Sequence, residues 1–185
     1  MRSLKYAWLV GALAVLSPGA LMARPHSRSV TDGSQVGYAR TEGRILLNQI
    51  QDHASAISKE VGPLDLQTRY GEVDWWTQSS TLNEVRDNVN VIGKDLNRLV
   101  ELRTQLEPWE QREIDRIAPL AVEIADATKD GIRTFNRNQD HTWSTQLPAD
   151  LTTLSNKADE LSKSVNESLE SAKLTKEIER LEQKS

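Results

Sequence analysis

The chain has 185 residues, a formal net charge of −4 and no cysteine. A length of this order builds a single hydrophobic core, and the missing cysteines exclude disulfides, thiolate metal sites, C-x-x-C-H haem attachment, cysteine nucleophiles and cysteine lipidation. Aromatic residues at 5% and charged residues at 27%, set among abundant Leu, Ile, Val, Ala, Glu, Lys, Gln and Arg, place it in the all-α class, with solvated outer faces.

The N-terminus carries Arg2 and Lys5 ahead of an uncharged apolar run from Ala7 to Met22. A basic n-region before a short apolar stretch has the pattern of a secretory signal peptide. Its 16 residues fall short of the ~18 to 20 that span a bilayer, and Ser17–Pro18 interrupts them. Residues 1–23 are therefore assigned to a signal cleaved after Ala23, with an uncleaved N-terminal membrane anchor as the alternative. Cleavage removes two basic residues and no acidic ones, moving the formal charge from −4 to −6. An anionic surface without a Lys/Arg cluster argues against nucleic acid and against anionic lipid head groups.

Residues 24–34, rich in small, polar and breaker residues, are expected to be a flexible linker. Leu47, Ile50, Ala54, Ile57, Val61 and Leu64 then follow at alternating steps of three and four, which puts them on one stripe of a first helix. Gly62–Pro63 is expected to end it, and Gly37 and Gly43 blur its start. The second helix carries Leu82, Val85, Val89, Ile92, Leu96, Leu99 and Leu106 in the same rhythm, interrupted at Arg103. Thr81–Glu84 fits a capping box starting at Leu82, while Asp74 fits as a cap seven residues before Thr81. The earlier start is adopted, because it puts Trp75 on the seam with Trp76 beside it.

A tight stop is expected at Leu106–Glu107, with Pro108 opening a third helix. Ile114, Ile117, Ala121, Ile124, Thr128, Gly131 and Phe135 continue the pattern, and Pro119 is expected to kink this helix without ending it. Residues 136–146 are expected to be a loop. Pro148 opens a fourth helix with Leu151, Leu154, Ala158, Leu161 and Val165 on its seam. Leu174, Ile178 and Leu181 are out of phase with that seam, so the last turns are expected to leave the bundle, exposed or frayed. Short connections make neighbouring helices antiparallel. Residues 35–185 are thus expected to form an up-down-up-down four-helix bundle of long amphipathic helices.

Motifs with chemical content are few. Neither His53 nor His141 has a Glu three residues before it, so the Glu-x-x-His pair of di-metal bundles is missing. Asp52–His53 and Asp140–His141 are isolated pairs read as solvated groups. Both methionines lie in residues 1–23, which leaves no methionine for a haem held by Met and His in the bundle. G-x-S-x-G, H-E-x-x-H and a phosphate loop are likewise missing. No enzyme activity, metal or cofactor is assigned.

Two constellations remain. Asn83, Asn90 and Asn97 recur at seven-residue steps, with Asp87 and Glu101 on the same stripe of the second helix. They form either a solvated flank, the reading preferred, or a polar seam that fixes register with a neighbour. The topology also brings Trp75, Trp76 and Trp143 to one end of the bundle, with Tyr70, Arg69, Asp140 and His141 at the rim. That end is read as an aromatic plug, or alternatively as an open pocket for a small ligand.

LNEVRDNVNVIGKDLNRL together with LEPWEQREIDRIAPL resembles uncharacterised exported bacterial helical-bundle proteins, over about Asp74 to Asn138. The resemblance implies an envelope location and a helical hairpin, and carries no activity. The sequence is therefore read as an exported, non-catalytic bundle, periplasmic or extracellular. It acts through an unknown protein partner or self-association, with no integral span after cleavage. The small-ligand pocket at the tryptophan end is the alternative.

Overall fold

The structure is a computed structural model that describes residues 32–71, 74–137 and 146–184. It consists of four helices: α1 (Asp32–Tyr70), α2 (Trp75–Leu102), α3 (Pro108–Arg137) and α4 (Gln146–Glu182), with a 3₁₀ turn (Arg103–Gln105) after α2. No strand occurs among the described residues.

Cross-helix contacts fix the direction of each helix. Arg98 of α2 reaches Glu42 of α1 at 2.7 Å, whereas the lower-numbered Asn88 meets the higher-numbered His53, also at 2.7 Å. Between α3 and α4, Glu113 accepts from Ser168 at 2.6 Å, while Glu123 pairs with Lys157 at 2.9 Å. Trp75 of α2 stacks on Phe135 of α3, and Arg103 of the 3₁₀ turn after α2 pairs with Asp115 of α3. Rising numbers on one helix meet falling numbers on the next, as antiparallel packing requires. The α1–α4 pair closes the ring through Thr152, whose hydroxyl donates to Asp65 at 2.9 Å. The result is the expected all-α, up-down-up-down bundle.

Its core is built from the stripes the spacing predicts. Leu47, Ile50, Ala54, Ile57 and Val61 of α1 are fully enclosed, facing Val85 and Leu99 of α2, Ile114, Ile117 and Ile124 of α3, and Leu151, Leu154 and Leu161 of α4. Each of these Leu, Ile and Val side chains contributes roughly 1.5 to 3 kcal/mol by leaving water. Packing of this face holds each helix together more strongly than intrinsic propensity does.

Five boundaries differ from expectation, the first being the end of α3, which runs to Arg137, two residues into the expected loop. Gly62–Pro63 does not end α1, which runs on to Tyr70 with Pro63 inside it. Leu64 and Thr68 continue the buried stripe, and their packing outweighs the hydrogen bond that Pro63 cannot donate. The stop comes at Gly71, whose φ of 68° is the left-handed cap that glycine adopts without strain. At its other end α1 begins at Asp32, so the last three residues of the expected linker are helical. Helix α2 ends at Leu102 and not at Leu106, which sits extended and buried after the 3₁₀ turn. Helix α4 starts at Gln146, two residues before Pro148.

Gly43 has a positional role inside α1. A Cβ there would come within 2.6 Å of Leu106 Cδ2. The missing side chain lets α1 approach the α2–α3 hairpin closely.

Candidate functional site

The aromatic end begins with Asp74, whose carboxylate accepts from the Thr77 backbone N–H at 2.9 Å and from the Thr77 hydroxyl at 3.0 Å. This is the earlier of the two predicted starts of α2. These hydrogen bonds, the backbone one foremost, hold the Asp74 carboxyl below its ordinary range. Starting there turns Trp75 toward α3, where it stacks on Phe135 with ring centroids 5.8 Å apart. Trp76 is 71% exposed and Tyr70 76%. Among the described residues the buried ring at this end is Phe135; Trp75, expected on the seam, covers it while remaining 44% exposed itself, and Trp76 is open to solvent. Arg69 pins helices together: its guanidinium donates to Asp65 at 2.9 Å and to Thr152 of α4 at 2.8 Å. Trp143, Asp140 and His141 lie outside the described residues.

Asn83, Asp87, Asn90, Asn97 and Glu101 are all exposed. Asn83 donates to Ser79 of its own helix, Asp87 pairs with adjacent Arg86, and Glu101 pairs with Arg98. They form a solvated flank. The polar ties between α1 and α2 come from other residues, His53 to Asn88 and Arg98 to Glu42. Glu60 and Asp95 in this region each keep one buried oxygen without a hydrogen-bond partner, and burial raises both carboxyls above their ordinary values. Among the described residues no three His, Asp or Glu side chains converge as a metal site would need.

The opposite end holds a charged cluster that sequence reasoning missed. Glu107 accepts from Trp109 Nε1 at 2.7 Å, from Arg44 at 3.1 Å and from Lys176 at 3.4 Å, tying α1, α3 and α4 to one carboxylate. Glu110, wholly buried, accepts the Glu107 backbone N–H on Oε2 at 2.7 Å, which caps α3. Its Oε1 has no hydrogen-bond partner and lies 3.7 Å from Arg44 Nε. Burial raises the Glu110 carboxyl above its ordinary value, against the opposing pull of the cap and of Arg44. Glu113 accepts from Ser164 at 2.7 Å and from Ser168 at 2.6 Å. A groove of about 820 Å³ runs beside this cluster between α3 and α4, lined among others by Trp109, Arg112, Arg116, Glu167 and Lys176. Its charges are of both signs, and Glu107, Glu113 and Glu167 of its lining already hold partners, so the cluster acts as a clasp between helices. The spacing of Glu107 and Glu110 around Pro108 is the capping signal by which it could have been found.

Beyond this clasp α4 runs on with its outer side uncovered among the described residues. Every residue from Lys173 to Lys184 is exposed. Leu174, Ile178 and Leu181 are 60%, 57% and 61% exposed and follow at steps of four and three, so they form one apolar stripe. Leu174 lies about 200° round the helix from Ala172, the last inward-facing position, at 3.6 residues per turn. The stripe therefore points away from the bundle.

No family model, curated protein or solved structure matches this chain. Function is accordingly read from the site itself. No described helix is long and apolar enough to cross a membrane.

Proposed function

We propose that this protein is an exported, non-catalytic helical bundle of the bacterial envelope that works through protein–protein contacts. The observation that carries the reading is the outward stripe of Leu174, Ile178 and Leu181 on turns of α4 whose residues are all exposed. A helix end built for solvent alone gains nothing from an apolar seam, whereas an amphipathic helix recognises partners through this spacing. Export is supported by the basic and apolar pattern of residues 1–23. N-terminal sequencing of the protein from its native envelope should start at Arg24; recovery of an intact Met1 would support the anchored alternative. Crosslinking in that envelope should yield discrete adducts, and a chain that crosslinks to nothing would count against the proposal.

A second reading, a small-ligand site at the aromatic end, is favoured by the exposure of Trp76 and Tyr70 beside the stacked Trp75 and Phe135. Ligand-dependent tryptophan fluorescence that is lost in Trp76→Ala and Trp143→Ala variants would support it. Fluorescence unchanged by both substitutions would dismiss it.

A further inference from the structure

We infer that the end of α4 pairs with the same segment of a second copy, antiparallel, as a short two-helix coiled coil. The inference rests on the proposed function through protein contacts and names the partner. Leu174, Ile178 and Leu181 sit at successive d, a and d positions of a heptad. The flanking positions then decide direction. Glu177 borders the stripe on one side, with Lys184 one heptad later on that same side, while Thr175 and Glu182 border it on the other.

In an antiparallel pair Ile178 of each copy faces Leu181 of the other. That register sets Glu177 across from Lys184 of the second copy, and does so twice because the pair is two-fold symmetric. Thr175 falls opposite Glu182 of the second copy, where a hydroxyl can donate to a carboxylate. A parallel pair would instead set Glu177 against Glu182 of the second copy on both sides, two like-charge contacts. Charge complementarity thus selects both the occupant and its direction. The Lys173–Glu170 and Lys176–Glu107 ion pairs engage the other lysines of this segment within the chain, leaving the Glu177 and Lys184 side chains to flank the seam.

Three apolar side chains fall far short of the about 800 Å² per partner of a stable complex. Pairing is therefore weak and concentration-dependent, as suits a contact strengthened by high local concentration. Sedimentation equilibrium of the purified exported chain, up to about 1 mM, should show a reversible monomer–dimer equilibrium. Leu174→Ser/Ile178→Ser/Leu181→Ser should abolish it. Glu177→Lys alone should weaken dimerisation several-fold, and Glu177→Lys with Lys184→Glu should restore it. A parallel pair would respond to Glu177→Lys with tighter dimerisation, which overturns the inference.

The cysteine-free sequence permits a second readout. Leu174→Cys copies would lie about 16 Å apart along an antiparallel pair at 1.5 Å per residue, too far for a disulfide, so rapid self-crosslinking there also overturns it. A chain that stays monomeric throughout, while the triple serine variant loses envelope adducts, would overturn self-pairing and leave the proposed function standing. Loss of neither would remove both.

Discussion

Glu110 shows how a single residue can serve the fold at a cost that depends on pH. One oxygen caps α3 while the other is buried without a partner, and burial raises its carboxyl above the ordinary 4.5. A folded-state value above the unfolded one means that the fold favours the protonated form. Its stabilising contribution is present in full below about pH 4.5 and is lost as pH rises through the folded value. Glu110→Gln retains a capping oxygen without the charge. Urea unfolding should find this variant equal to or up to about 1 kcal/mol more stable than the parent at pH 7, with the gap closing as pH falls toward 4.5. A variant markedly less stable at pH 7 would show that attraction to Arg44 outweighs burial. At this scale the sequence was readable in part. The Asp74 cap followed from local spacing, because a cap is settled within one turn. The ties His53–Asn88 and Glu113–Ser164 did not, because they depend on how far neighbouring helices slide past one another.

At the scale of elements, α1 tests how packing competes with local preference. Gly62–Pro63 has the letters of a stop, yet the helix continues because Leu64 and Thr68 remain on the buried stripe. Pro63 leaves the Lys59 carbonyl without its helical partner, and a proline of this kind costs a helix up to about 3 kcal/mol. Pro63→Ala should stabilise the protein by about 1 to 3 kcal/mol in a urea titration; a neutral or destabilising result would mean that α1 needs the local bend proline imposes. All four seams were legible because a stripe repeated over several turns exceeds any single breaker. The exact ends were less so. Gly71 and Gly62 carry the same glycine signal, and only the buried stripe between them separates a cap from a tolerated interior residue.

At the scale of the whole molecule, a complete bundle and a projecting helix end divide the chain between stability and contact. The enclosed core ends near Leu169, the clasp of Glu107 with Arg44 and Lys176 closes that end, and α4 continues to Glu182. Truncation after Lys176 keeps the clasp, and every described residue that it removes is exposed. It should change the unfolding free energy by less than about 0.5 kcal/mol, whereas a loss of about 2 kcal/mol or more would show that the segment supports the fold. The phase slip past Val165 made the departure of α4 from the bundle legible in the sequence. Its persistence as a helix was not legible, because a charged end without a packing partner has no tertiary signal to follow.

The most direct test places a photo-crosslinking side chain at Ile178 or, as control, at Val122, an exposed apolar residue on α3, and irradiates intact cells. The account predicts discrete protein adducts from position 178 and none from position 122. Adducts missing at 178, or equal at both positions, would contradict it.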